Sequence, residues 1–256
     1  MLMKTRLSVN LNAVAYLRNR RAVPWPNLLE VARAVLDAGA HGITVHPRPD
    51  QRHIRFSDVR DLSALIASDY PHAEFNVEGY PTREFIELAL SVKAHQVTLV
   101  PDSPDQPTSD HGWDFDEHGA MLATVVRDLQ HHGLRVALFV DPMADAPMSA
   151  WQTGAERIEL YTGPYGGASD PRSADRALSD LVATAEAARM TGHNQAGDRP
   201  ALQMNAGHDL TADNLPPLRH AIPDLAEVSI GHGLTADALL IGFPAAVRRC
   251  LAALEG

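Results

Sequence analysis

Lysine is nearly absent from this chain. Of its 22 basic side chains, 20 are arginine and only Lys4 and Lys93 are lysine. Arginine grips phosphate with a planar fork but supplies no neutral amine near pH 7. Cysteine is scarcer still. Cys250 stands alone, which excludes an internal disulfide and fits a reducing cytoplasm. It lies in an apolar C-terminal helix pattern and reads as packing rather than as a nucleophile. No apolar run approaches the roughly 18 residues of a membrane helix. The opening Met1-Leu2-Met3-Lys4-Thr5-Arg6 lacks the apolar stretch and cleavage site of a signal peptide. No HExxH or Cys/His ligand spacing occurs, so no metal site is expected. No GxGxxG precedes a helix, which argues against a dinucleotide. Gly163-Pro164-Tyr165-Gly166-Gly167 lacks the Lys and Ser/Thr of a P-loop. The formal net charge of −10 repels nucleic acid and anionic membrane surfaces. An anionic substrate would need local positive groups to overcome it.

What the chain does have is alternation. Its 256 residues, 45% hydrophobic, suffice for one core of the size of an α/β barrel. Strand patterns fall at 7–12, 42–46, 74–78, 96–100, 135–141, 157–162, 201–205 and 227–231. Helical patterns fall between them, at 27–38, 58–68, 82–92, 117–132, 147–153, 173–191, 212–220 and 235–254. Short strands alternating with helices imply parallel βαβ pairing, and eight such units close into a (β/α)8 TIM barrel. No linker or composition shift marks a second domain, so residues 1–256 are expected to form a single catalytic domain. Gly39, Gly133 and Gly154 read as helix C-caps on the bottom face. The stretch 194–200 reads as a bottom-face loop. The longer connections, 47–57, 101–116 and 163–172, follow strands two, four and six, on the face where active sites sit.

Four polar clusters lie at the ends of strand patterns: Val9-Asn10-Leu11-Asn12, Thr44-Val45-His46-Pro47-Arg48, Asn76-Val77-Glu78 and Asn205-Ala206-Gly207-His208. Such ends converge on one rim. His46 and Glu78, on adjacent strands, make an acid/base pair tunable near neutrality, with His208 and Asn10 beside them. Arg48, Arg52 and His53 read as an anion-binding loop, against the alternative of a solvated charged loop. Arg18, Arg20 and Arg21 form a second basic group, with Arg18 and Arg21 sharing a helical face. Gly231, His232 and Gly233 after strand eight, and Gly163 after strand six, offer backbone N–H groups to phosphate. The remaining histidines fall on helices or exposed loops. Lys4 and Lys93 precede their strands and so lie toward the bottom face; any condensing amine must come from a substrate.

Taken together, these segments resemble the pyridoxine 5′-phosphate synthase family. The matching stretches are Val9-Asn10 with Leu17-Arg18-Asn19, Gly42-Ile43-Thr44-Val45-His46 with Arg48, Asp50 and Arg52-His53-Ile54, and Asn76 with Glu78. They continue through Leu99-Val100-Pro101, Phe139-Val140-Asp141, Ile158-Glu159-Leu160-Tyr161-Thr162-Gly163, Asn205-Ala206-Gly207-His208-Asp209-Leu210-Thr211 and Ile230-Gly231-His232. The resemblance runs through nearly the whole chain in order. The His46 loop and the Asn-Ala-Gly-His stretch are its specific parts.

The resemblance implies a (β/α)8 barrel with extra helices, a cytoplasmic homo-octamer, and no metal or organic cofactor. It implies joining of 1-deoxy-D-xylulose 5-phosphate to 3-amino-2-oxopropyl phosphate, giving pyridoxine 5′-phosphate, phosphate and water. By position, His46 and Glu78 are then the bases and His208 the proton donor. Arg48, His53 and Thr108 hold the deoxyxylulose phosphate; Asn10, Arg21, Gly231 and His232 hold the amino-ketone phosphate. Asn12, Glu159 and Asp209 complete the substrate contacts. The chain departs from the family in carrying Asn12-Ala13 where Asp-His is common, and Asp209 where a glycine offers its N–H. Two other readings remain open: a barrel isomerase or lyase acting on one phosphorylated sugar, and a non-catalytic phosphometabolite-binding barrel.

Overall fold

The computed structural model describes residues 4–103, 106–192 and 199–255. Eight parallel strands close in sequence order: β1 (Arg6–Asn10), β2 (Gly42–Val45), β3 (Glu74–Gly79), β4 (Gln96–Leu99), β5 (Arg135–Val140), β6 (Arg157–Tyr161), β7 (Gln203–Gly207) and β8 (Glu227–Ile230). The ring shuts where Arg6 pairs with Glu227 and Val9 with Ile230. The helices are α1 (Asn12–Asn19), α2 (Leu28–Asp37), α3 (Phe56–Asp69), α4 (Arg83–Ser91), α5 (Phe115–His131), α6 (Ala146–Gln152), α7 (Gly163–Gly166), α8 (Pro171–Met190), α9 (Leu215–Ala221), α10 (His232–Ile241) and α11 (Phe243–Glu255). Local chemistry starts several of them. The Asn27 side chain accepts from the N–H groups of Leu29 and Glu30, Thr82 caps α4, and Asp114 caps α5. As expected, Gly39, Gly133 and Gly154 end helices with positive φ.

The strands alternate strictly. Leu7 and Val9, Ile43 and Val45, Phe75 and Val77, Val97 and Leu99, and their counterparts on β5 to β8 are buried beneath the helices. The intervening residues face the barrel axis, and most of them are polar, with Ala137 and Phe139 on β5 as apolar exceptions. Arg157 reaches from β6 to Gln96 on β4 at 3.0 Å, Asn205 on β7 reaches the same oxygen at 3.5 Å, and Arg135 on β5 pairs with Glu74 on β3. Such contacts between non-adjacent strands pass only through the interior. Above them, Ser8, Thr44, Asn76 and Thr98 are joined by side-chain hydrogen bonds across four neighbouring strands. Barrels of this class usually fill this space with branched apolar side chains. Here much of the interior is a hydrogen-bonded polar column, tolerable because most of its groups find partners.

Several expectations shift. The pattern at 235–254 is two helices: Gly242 takes φ 80, and Pro244, without an N–H, cannot continue α10. The connection at 163–172 is partly helical, containing α7 and the start of α8. The seventh strand lies two residues later than its pattern, so Asn205 is interior. Asn76 is interior as well. Neither reaches the rim. The bottom loop expected at 194–200 lies outside the described residues except for Arg199 and Pro200, as do His193 and Met1–Met3.

Candidate active site

The strand C-terminal ends surround a cavity of about 460 Å³. It is lined by Asn10, Asn12, His46, Arg48, His53, Glu78, Thr108, Glu159, His208, Asp209, Gly231 and His232. Every residue to which the family resemblance gives a role is therefore at this mouth, with one exception. Arg21 is exposed in the turn after α1 and does not line the cavity. Its neighbour Arg18 is not free for ligand either, since its guanidinium forks onto Asp58 at 2.7 and 2.8 Å. Both lysines lie at the other face: Lys4 pairs with Glu255 at 2.6 Å, and Lys93 stands between α4 and β4.

The first strand-end holds the second in place. Asn10 Oδ1 accepts from the Asn12 N–H at 2.9 Å, and Asn12 Oδ1 accepts from the His46 N–H at 2.9 Å. The oxygen of Asn12 is thus spent on the backbone rather than on a substrate hydroxyl. Asn10 Nδ2 donates to Glu78 at 3.4 Å. His46 is buried, and burial first, then the charges of Arg48, His53 and Arg52, hold its pKa well below the usual value. Asp102 lies 4.0 Å from His46 Nε2, but its charge is committed to Arg48. His46 is therefore a neutral imidazole, ready to accept a proton. His53 is pushed down to about 4, chiefly by burial, and its Nδ1 accepts from the Ile54 N–H at 2.9 Å. Its Nε2 consequently carries the hydrogen.

Glu78 behaves in the opposite sense. Burial, then Asp102 and Glu227, push its carboxyl up to about 8. Glu159 is raised well above the ordinary range by burial, Glu78 and Glu227. Three carboxyls, Glu78, Glu159 and Glu227, are thus sealed in one barrel and cannot all ionise. Glu159 lies across Gly207, where an added Cβ would come within 2.1 Å of its Oε1. Among the described residues four buried side-chain polar atoms lack a protein partner, and two of them, Asp102 Oδ1 and Glu159 Oε2, belong to this mouth.

The cationic and N–H groups are arranged around the same cavity. Arg48 is buried, paired with Asp102, and donates to the Gln106 carbonyl at 2.6 Å. Opposite it, Gly231, His232 and Gly233 begin α10, whose free N–H groups give the wall a positive end. Asp102 escaped the sequence reading, although a carboxylate just after strand four is the same signal as Glu78 on strand three. Phe139, from one of the family-like stretches, also lines the mouth, as do Tyr16 and Ser229, which carry no sequence signal of their own. Among the described residues no group of three or more His, Cys, Asp or Glu side chains is arranged to hold a metal ion. None of the described helices is long and apolar enough to cross a membrane.

Fold and site together define a (β/α)8 barrel with an acid–base centre at the strand C-terminal mouth. Residues 7–256 match the model of the family described as Pyridoxal phosphate biosynthesis protein PdxJ. The chain belongs to that family. It is 55% identical over 255 residues to pyridoxine 5′-phosphate synthase of Brucella abortus (strain S19), covering 99% of this chain and 100% of the relative. The Brucella anthropi protein of the same name is 55% identical over 253 residues, covering 98% of this chain and 100% of its own. A structure of phosphoribosylanthranilate isomerase from Thermotoga maritima superposes with a TM-score of 0.61 at 13% identity, over 98% of this chain and 99% of that one. At that identity the likeness is one of fold alone.

Proposed function

We propose that this chain condenses 1-deoxy-D-xylulose 5-phosphate with 3-amino-2-oxopropyl phosphate, giving pyridoxine 5′-phosphate, phosphate and water. One observation carries the reading. Two imidazoles and a raised carboxyl share one cavity in a family member that is 55% identical to named synthases along its whole length. The alternatives, a one-substrate isomerase or lyase and a pure binder, are not favoured by that identity.

The substrate amine attacks the ketone of the sugar, since neither lysine reaches the mouth. Neutral His46 takes up protons as the imine and enamine form. Glu78 enters the cycle protonated, donates to a departing oxygen, and returns as the base that its carboxylate then is. His208 supplies the proton for the final eliminations. Each positioned group is worth roughly 10²–10⁴-fold. Arg48, His53 Nε2–H and Thr108 hold the sugar phosphate, whose charge competes with Asp102 for Arg48. The N-terminus of α10 and Asn10 take the amino-ketone phosphate. Holding both ends converts a bimolecular condensation into a local one. Arg21 has no part in this cavity as drawn from one chain. The single cysteine supports a cytoplasmic setting, and the exposed Leu239, Leu240 and Ile241 support assembly with further copies of the chain. The test is formation of pyridoxine 5′-phosphate by purified protein given both substrates. Turnover of a single sugar phosphate without the amine, or binding without turnover, refutes it.

A further inference from the structure

His208 and Asp209 take φ values of 94 and 54. This is backbone that glycine adopts freely, that Asp tolerates and that other side chains rarely enter. Two such residues in succession persist only when their surroundings hold them. The hold is visible. Thr162 Oγ1 shares its one hydrogen between the carbonyls of Gly207 and His208, 2.7 and 2.6 Å away, and Asn214 Nδ2 donates to the Asp209 carbonyl at 3.1 Å. Gly166 presses from behind, since a Cβ there would come within 2.1 Å of that same carbonyl.

The turn folds the Asp209 carboxylate back onto its own neighbour. Its Oδ2 lies 2.9 Å from His208 Nδ1. An ionised carboxylate only accepts, so Nδ1 carries the hydrogen. Nε2 is left on the cavity side, 2.9 Å from Thr108 Oγ1, while the ring edge rests against Tyr161. We propose that Asp209 is a positioning residue: it fixes one tautomer and one orientation of His208, so that the proton is given and regained at Nε2 alone. This rests on the reading of His208 as a proton carrier of the synthase reaction. A competing role is separable. A carboxylate acting only as a charge beside a phosphate site would weaken anion binding and appear in KM, whereas positioning appears in kcat.

Asp209→Gly removes the carboxylate and suits the left-handed turn. It is measured alone and in a His208→Gln background, with both substrates, alongside calorimetric binding of 1-deoxy-D-xylulose 5-phosphate. The expected loss in kcat is about ten- to a hundredfold, with binding retained. Asp209→Asn, whose amide oxygen still accepts from Nδ1–H, recovers most of it. In the His208→Gln background Asp209→Gly costs nothing further. An unchanged kcat, or the same loss without His208, overturns the inference. Should the parent protein make no pyridoxine 5′-phosphate, the functional reading fails instead. Nitrogen NMR of ¹⁵N-histidine-labelled protein then decides the positioning: a single Nδ1–H tautomer of His208 that becomes mixed in Asp209→Gly supports it, and a mixture in the parent overturns it.

Discussion

Burial and the nearby carboxyls of Asp102 and Glu227 push Glu78 up to about 8, so at pH 7 this side chain is already neutral. Glutamine at this position then reproduces the shape and charge of the resting state but cannot exchange its proton. Glu78→Gln is expected to melt with the parent and to bind the sugar phosphate, while kcat falls roughly 10²–10⁴-fold. A thermal melt and a turnover assay check both halves, and full activity would remove Glu78 from the chemistry. At this scale the site was largely legible. His46, Glu78 and His208 stand out because a polar residue closing an apolar strand has few structural uses. Asp102 was hidden by the length of its loop, and its role shows only once Arg48 is seen to lean on it. Arg21 looked like Arg18 in sequence. The two part because Arg18 finds Asp58, while the chain turns Arg21 into solvent.

The strands and the helices with clear caps were readable because apolar periodicity and capping chemistry are local. Helices that serve the mouth were not. Both α1 and α10 begin directly on site residues, Asn12 and His232, and their first turns answer to the cavity rather than to a capping side chain. The break at Gly242 was masked by apolar residues on both sides of it. Those residues also make α10 unusual. Leu239, Leu240 and Ile241 are 73%, 87% and 48% exposed in succession, a contiguous apolar strip rather than a scattered one. If copies of the chain cover this strip, Leu240→Glu places a charge in their interface. Light scattering is then expected to show smaller species, with the far-ultraviolet circular dichroism of the barrel unchanged. An unaltered mass in the variant would place the assembly surface elsewhere.

The alternation along the strands put oil outside the barrel and mostly polar groups inside, and this gives the whole molecule an uncommon dependence on pH. Glu227 is held up to about 7 and Glu78 to about 8, and Glu159 is raised as well, all chiefly by burial. In the unfolded chain glutamates ionise near pH 4.3. Between that value and about 8 the native state therefore binds more protons than the unfolded one, and stability falls as pH rises. His46 and His53 act in the other direction. With native pKa values pressed down, to about 4 for His53, they favour folding increasingly as the unfolded chain loses its imidazole protons up to about pH 6.5. Above that pH only the glutamate effect remains. The midpoint of denaturant unfolding should thus vary little between about pH 4.3 and 6.5, where the two sets oppose each other, and fall more steeply from about pH 6.5 toward pH 8. Glu227→Gln removes one of the three carboxyls and keeps its shape. Relative to the parent it should gain stability with rising pH, by about 4 kcal/mol at most, and its decline above pH 6.5 should be shallower. Parallel pH curves for the two proteins would mean that Glu227 ionises in the native barrel as readily as in the unfolded chain, and that the interior column is wetter than its burial implies.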